Sequence, residues 1–323
     1  MARKRLKSLA QTSSNNDSLN NWPKAFKTRK FVGAHVSIAG GLHNSPMRCA
    51  SIGGCAFALF LKSSRTWKFS PITDEAIFAF KNACTEYNFD PALHVLPHGS
   101  YLVNLANPSL DMQTKAFDTF LDDLKRCDAL GIRYFNFHPG NAVAGTNTDE
   151  AIDRVCQAMN RAIGETRHVV LVIENMAGAG NVLGSTFEQL KAMLDRIEQK
   201  HRVGICLDTC HLFAAGYDIR TRQAYDLTMA RFNDVVGFDY LKGVHLNDSK
   251  GGLGCKKDRH ENIGKGLIGI DAFRFLMNDN RFNDIPMVLE TPLGKDDDPL
   301  VRKHEIDLLY GLIDSSNNGK STY

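Results

Sequence analysis

The sequence predicts an α/β fold: a single (β/α)8 TIM barrel over residues 31–314, preceded by a disordered basic tail at 1–30 and followed by a frayed end at 315–323. Three observations predict it. Eight short runs of apolar, β-branched and aromatic residues recur along the chain, each followed by a turn and a longer segment, several with clear helical period. The runs are nearly continuous in apolar character, as strands buried on both faces are. No Gly-x-Gly-x-x-Gly follows the first run, which removes the main support for a doubly wound dinucleotide-binding sheet, the other arrangement open to eight such units.

In chain order the runs are Phe31–Ile38, Cys55–Lys62, Ala92–Pro97, Tyr134–His138, Val169–Glu174, Val203–Asp208, Gly243–Asn247 and Pro286–Glu290. Helical segments lie between them. Thr73–Tyr87 and Asp111–Leu130 are the clearest, with apolar residues at i, i+3 and i+4 and acids near their starts. Phe117, Phe120, Leu121 and Leu124 fall on one face of the second.

Composition excludes several classes. The 323 residues are 43% hydrophobic and 23% charged, ordinary values for a globular chain and not for a disordered, collagen-like or coiled-coil one. No apolar run approaches the roughly 20 residues that span a bilayer. The eight Cys contain no C-x-x-C pair and sit mostly among apolar residues, so they read as buried thiols, not as a disulfide framework or a zinc module. The net charge of +3 is uneven: residues 1–30 hold eight Lys/Arg and one acid, so that the rest of the chain carries −4. The stretch 8–21, SLAQTSSNNDSLNN, is too polar to order itself. Met1–Lys7 resembles a basic nuclear-localisation cluster, and the Arg-, Lys- and Ser-rich start also fits a mitochondrial presequence. The nucleus is the expected address and the mitochondrion the second.

The endings of the runs carry the chemistry. His98 follows the third run, His138 ends the fourth, Glu174 the fifth, Asp208 the sixth and Glu290 the eighth, and His245 stands near the end of the seventh. In a barrel these carboxyl ends converge on one rim, where active sites are built. One such residue alone is a hydrogen-bonded rim residue. Six in succession are a cluster, and clustered carboxylates leaving apolar strands would repel one another and be costly to bury unpaired. Cations remove both penalties. Imidazole and carboxylate donors without thiolate fit Zn²⁺, with Mn²⁺ or Fe²⁺ able to substitute.

His211, three residues after Asp208, and the pair Asp258 and His260 extend the set to five His and four carboxylates. Nine donors exceed one four-coordinate site and suit three metals when one carboxylate bridges two of them. The four carboxylates carry −4, and three divalent cations carry +6, so the loaded face turns cationic and a phosphodiester becomes a natural substrate.

The motifs Gly33-Ala-His-Val-Ser37, Leu96-Pro-His-Gly-Ser-Tyr101, Asn136-Phe-His-Pro-Gly140, Ile173-Glu-Asn175, Asp208-Thr-Cys-His211, His245-Leu-Asn-Asp248, Asp258-Arg-His260 and Leu289-Glu-Thr291 stand in one order. Together they resemble endonuclease IV, the metal-dependent family of apurinic/apyrimidinic (AP) endonucleases, over about Phe31 to Pro292. Gly99, where some members carry an acid, resembles the eukaryotic branch. The resemblance implies a trinuclear zinc centre: His98, His138 and Glu174 for one ion; Glu174, Asp208, His245 and Glu290 for a second; His211, Asp258 and His260 for a third. It implies hydrolysis of the phosphodiester 5′ to an abasic site, leaving a 3′-hydroxyl, and removal of 3′-blocking groups. Glu290, and Glu174 as the bridge, would be the catalytic carboxylates. The implied partner is double-stranded DNA carrying abasic or 3′-blocked lesions, met by a monomer and not by a membrane protein.

The same resemblance assigns Arg65, Tyr101 and Leu102 to the damaged duplex, where an Arg and a planar or apolar wedge fill a gap in the base stack. Trp67 reads as an apolar anchor, and His35 as either a residue standing behind the metal ligands or a structural one. A metal-dependent sugar isomerase is the enzymatic rival, since such barrels also carry Glu, Asp and His at strand ends. The Asp258, His260 and His211 trio argues for a third metal and against it. A DNA-damage scaffold without chemistry would be expected to have lost a ligand or Glu290, and neither is missing.

Overall fold

A computed structural model describes residues 20–143, 145–294 and 297–314. The basic cluster Met1–Lys7 and the stretch 315–323 lie outside the described residues. The strands β1 (Phe31–His35), β2 (Ala56–Ala58), β3 (Tyr134–Phe137), β4 (Val170–Glu174), β5 (Val203–Asp208) and β6 (Leu241–Leu246) are joined by a later strand at Pro286–Leu289 in one parallel sheet. That last strand is β9, because a hairpin of β7 (Asp248–Ser249) and β8 (His260–Glu261) precedes it. The sheet order is β2-β1-β9-β6-β5-β4-β3.

The sheet closes through a stave too irregular to be a full strand. Val95 bridges Phe57 on β2, and His98 bridges Asn136 on β3. Leu96 N–H donates to the Phe57 carbonyl and Asn136 N–H to the Pro97 carbonyl, each at 2.9 Å. This corrects the third expected strand, Ala92–Pro97. Its first half is a short helix, Pro91–His94, started by the Asp90 side chain accepting from Ala92 N–H at 2.8 Å. Pro91 suits a first helical turn, and Pro97 has no N–H to give a ladder. The eight-fold barrel survives as seven strands and one bridging segment.

The two clearest expected helices, Thr73–Tyr87 and Asp111–Leu130, are observed at Asp74–Glu86 and Leu110–Leu130. Trp22–Thr28 (α1), Asn44–Ser51 (α2), Asp74–Glu86 (α3), Pro91–His94 (α4), Leu110–Leu130 (α5), Thr148–Gly164 (α6), Phe187–Arg196 (α7), Thr209–Ala214 (α8), Arg222–Val235 (α9), Ile270–Met277 (α10) and Leu300–Gly311 (α11) surround the sheet. Thr73, Asn147, Thr186 and Thr221 cap α3, α6, α7 and α9 with side-chain oxygens. Phe117, Phe120, Leu121 and Leu124 of α5 are buried, and Gly131 at φ +77° ends that helix. Every residue of β4, β5 and β9 is buried, as continuous apolar runs require. Gly33 is dictated by close approach: a Cβ there would lie 1.5 Å from the Ala56 carbonyl oxygen of β2.

The expected tail is shorter than 1–30. Residues Trp22–Thr28 form α1, with Trp22 and Ala25 buried and the Trp22 ring packed on Phe31, Phe89 and His94. The apolar spacing of Trp22, Ala25 and Phe26 outweighs the charge of Lys24 and Lys27, whose stems leave their heads free in water. Lys30 is itself buried, donating to the Asp279 carbonyl at 2.6 Å, and its burial lowers its amine to about 7. Among the eight Cys, seven are buried and Cys255 is half-buried, and all are free thiols. Among the described residues no helix is long and apolar enough to cross a membrane.

Candidate metal centre at the barrel rim

The strand ends converge as the barrel demands. Asp208 at the end of β5 lies in register beside His245 of β6. Glu174 at the end of β4 is fully buried, and four imidazoles surround it. Its Oε2 lies 3.3 Å from His98 Nε2 and 3.5 Å from His138 Nε2, and its Oε1 lies 3.1 Å from His245 Nδ1 and 3.3 Å from His211 Nδ1. His245 Nδ1 is also 3.3 Å from Glu290 Oε2. Asp258 reaches His211 Nε2 at 3.2 Å and His260 Nε2 at 3.1 Å.

Three groups of donors result, each with its donor atoms within 4.8 Å of one another: His98, His138, Glu174; Glu174, Asp208, His245, Glu290; and His211, Asp258, His260. All nine candidate residues are thus brought together, with Glu174 shared between two groups. A fourth group, Asp208, Cys210 and His260, was not foreseen. Burial raises the Cys210 thiol to about 12.

The ring nitrogens are arranged for ligation. His98, His211 and His260 donate Nδ1–H to the carbonyls of Gly99, Asn175 and Glu290 at 2.7, 2.9 and 3.4 Å. That choice of tautomer leaves Nε2 as the free lone pair. The Nε2 atoms of His98, His211 and His260 are buried and form no well-directed hydrogen bond, yet each faces a carboxylate, Glu174 for His98 and Asp258 for the other two. Buried imidazole nitrogens turned on carboxylates in this way are an arrangement that a cation completes. The donor set fits divalent cations.

Without cations, protons take their place. Burial pushes the His260 imidazole down, but Asp208 and Asp258 outweigh it and raise the ring to about 9. Burial likewise opposes protonation of His211 and His245, and Asp208, Asp258 and Glu174 around the first, and Cys206, Glu174 and Glu290 around the second, hold both well above the ordinary imidazole value. Burial would raise Glu174, but His245 and His138 hold it well below the ordinary carboxylate range. Glu290 is held low in the same way, burial being outweighed by His245 and by the His35 ring 3.2 Å away. Only His138 and His35 go the other way, lowered chiefly by burial.

Two buried asparagines, Asn136 and Asn247, hold carboxylates, and a third, Asn175, holds the Asp208 backbone; the motifs contain all three without giving them a role. Asn136 donates to Glu174 Oε2 at 2.6 Å. Asn247 donates to Asp208 Oδ2 at 2.6 Å and accepts from Glu290 N–H at 3.0 Å. Asn175 donates to the Asp208 carbonyl at 3.3 Å and accepts from the Asp208 N–H at 2.6 Å. The signal is present: Asn136 and Asn247 each stand two residues from a candidate donor histidine, the spacing that puts them on the same face of a strand.

A cleft of about 440 Å³ opens over the cluster, lined by Tyr101, His138, Met176, Val182, His211, Asp258, His260 and Glu290. Tyr101 is 61% exposed and stands over the centre, its ring 5.0 Å from His98 and 5.4 Å from His138. Leu102 is half-buried beside it, and Arg65 is exposed on the loop after β2. That loop is anchored by Lys62, which donates to the Thr119 carbonyl and to Asp122 at 2.7 Å and lies 3.0 Å from Asp123. His35 pairs with Glu290 as expected, and His94 is a core histidine whose Nδ1 accepts from Asp90 N–H at 2.9 Å.

A parallel β/α barrel with histidines and carboxylates gathered at its rim defines a metal-site barrel, and the model of the xylose isomerase-like TIM barrel family matches residues 47–312. Apurinic-apyrimidinic endonuclease 1 of Plasmodium berghei is 47% identical over 288 residues, covering 89% of this chain and 56% of the relative. The protein of that name from Plasmodium falciparum is 47% identical over 282 residues, covering 87% and 47%. The chain therefore spans about half the length of these curated relatives. The solved structure of endonuclease IV from Thermus thermophilus superposes with a TM-score of 0.74 at 31% identity, covering 87% of this chain and 99% of that one. The chain belongs to the xylose isomerase-like TIM barrel family and, within it, to endonuclease IV. A D-tagatose 3-epimerase-like protein at 18% identity and TM-score 0.63 shares the fold alone.

Proposed function

We propose that the chain is an AP endonuclease that hydrolyses the phosphodiester 5′ to an abasic site in duplex DNA, leaves a 3′-hydroxyl, and removes 3′-blocking groups with a trinuclear zinc centre. The observation that carries the reading is the shared Glu174, with three donor groups around it under one open cleft. His98, His138 and Glu174 would hold one ion, Glu174, Asp208, His245 and Glu290 a second, and His211, Asp258 and His260 a third. Bound there, the ions would supply Lewis acidity, neutralising the phosphate charge and making water a better nucleophile.

The chain's own residues do the rest. Glu290 reaches the cleft from the end of β9 with His35 fixing one of its oxygens. There it would orient the attacking water or take its proton. Arg65, Tyr101 and Leu102 would meet the duplex at the mouth of the cleft and fill the gap left by the missing base. An abasic nucleotide is already unstacked, so opening the duplex there costs least. We place the chain in the nucleus on its basic start, with the mitochondrion as the second address, and take it to act as a monomer.

The test is a duplex carrying one tetrahydrofuran abasic analogue, incubated with zinc-loaded protein in EDTA-containing buffer without magnesium, alongside metal analysis. A single 5′ nick with a 3′-hydroxyl and about three zinc ions per chain is the expected result. A fully metal-loaded protein that leaves the duplex intact rules the reading out.

A further inference from the structure

Thr291 follows Glu290, and one helix takes both of its polar groups. Its carbonyl accepts from Arg302 Nη2 at 3.1 Å, and its hydroxyl donates to Glu305 Oε2 at 2.5 Å. Arg302 and Glu305 stand three residues apart near the start of α11 and so share a face. The second Arg302 nitrogen, Nη1, donates to the His35 carbonyl at the end of β1. The second Glu305 oxygen accepts from Ile263 N–H at 2.8 Å and lies 3.3 Å from Asn262 Nδ2. Asn262 also donates to the Pro292 carbonyl at 3.0 Å. Thr291 and Glu305 are 1% and 5% exposed, so these bonds form out of water.

Three rim segments are therefore tied to one helix. The end of β1 carries His35, the end of β9 carries Glu290, and the residues just after β8 carry the chain away from His260. Neither Arg302 nor Glu305 belongs to any donor group. We propose that Arg302 and Glu305 are positioning residues: working from α11 through Thr291 and the 262–263 segment, they set the Glu290 carboxylate and the His260 ring against the rest of the centre. The inference rests on the reading of the site given above.

The test compares the zinc-loaded full chain with its Glu305→Ala, Glu305→Gln, Arg302→Met and Thr291→Val variants. Three quantities are measured: zinc retained during timed dialysis against chelator, hydrogen exchange over 260–263 and 290–292, and kcat and KM on the abasic duplex. Glu305→Ala lowers kcat by about 10–100-fold with KM within about twofold, and speeds the loss of one zinc, as loss of a group that orients metal ligands does. Glu305→Gln keeps an acceptor for Ile263 N–H and restores most of both. Arg302→Met lowers kcat by about tenfold but retains zinc, because it touches His35 and Thr291 and not the 262–263 segment. Thr291→Val, close in size, carries the test if Glu305→Ala does not fold: it speeds exchange over 290–292 and lowers kcat. Wild-type kcat, zinc retention and exchange in both Arg302→Met and Thr291→Val overturn the proposal. So does a loss of folded protein with kcat per zinc-loaded molecule unchanged, which reduces the pair to scaffold. A wild-type chain that holds zinc and cuts no abasic duplex removes the functional reading instead, and zinc retention and exchange still decide the clamp.

Discussion

The proton load on His260 makes a pH prediction with a definite sign. Its ring is raised to about 9 in the metal-free protein, against an ordinary value of 6.5. A group raised on folding contributes stability that is fully present below 6.5 and is lost as pH rises through 9. Each pH unit between the two values is worth about 1.4 kcal/mol, so the pairing of His260 with Asp208 and Asp258 contributes roughly 3 kcal/mol at its upper bound. In a chain of this size that corresponds to about 6 °C in Tm. Lys30, lowered to about 7 by burial, acts with the opposite sign over pH 7–10.5 and would mask the effect in a single profile. The measurement is therefore a difference: Tm of chelator-stripped wild type minus that of stripped His260→Gln, by circular dichroism from pH 6 to 9. The Lys30 contribution cancels, and the difference shrinks by several degrees between pH 6.5 and 9. Zinc-loaded protein shows the reverse trend, since metal must displace the same proton and binds more tightly as pH rises. Parallel stripped profiles across that window would refute the ion-pair account of His260.

Three further outcomes follow from the site. Glu290→Gln lowers kcat by about 10²-fold or more, with affinity for the abasic duplex nearly unchanged; near-wild-type turnover in a steady-state assay removes its role. Arg65→Ala weakens binding of the abasic duplex by about tenfold, by fluorescence anisotropy, with kcat at saturation preserved, because Arg65 is exposed and belongs to no donor group. In the proposed centre, the ion that His211, Asp258 and His260 would hold leaves first under timed chelation, since the Asp258 side chain is 49% exposed whereas that of Glu174 is fully buried. Asp258→Asn should remove that fast phase of zinc release, and its persistence would assign the phase elsewhere.

Most of the donor set could be read from the sequence for a physical reason. A strand buried on both faces tolerates no charge, so a carboxylate that ends such a run must have a partner, and Glu174 after Val170–Ile173 meets that condition. The same logic failed for the third stave, where the first half of the run Ala92–Pro97, entered through Asp90-Pro91, forms a helical turn and only the rest bridges β2 and β3. It failed again at α1, where basic residues obscured the spacing of Trp22, Ala25 and Phe26. The supporting residues were least visible. Asn136 and Asn247 lie on the strands or just beyond them and share the two-residue spacing of their ligands. Arg302 and Glu305 lie on a surface helix far along the chain, where an arginine and a glutamate three apart read as ordinary solvated charge.

The contrast between the two parts of the centre explains why such distant support is needed. His98, His138, Glu174, Asp208 and His245 sit on the barrel staves or next to them, and the sheet's own hydrogen bonds hold each against its neighbour. His211 is on the short helix α8, whose start Asp208 caps with one carboxylate oxygen at 2.8 Å from His211 N–H, so that ligand inherits its position from another. Asp258 and His260 come from a two-residue hairpin whose own ladder is too short to be stable alone. Asp248, at the root of that hairpin, supplies part of the missing rigidity by accepting from Gly264, Gly266 and Ile268 N–H groups at 3.0–3.1 Å. Glu305 supplies the rest on the far side of the same segment. A site built on loops is only as well placed as what grips those loops, and here the grip is a carboxylate on each flank.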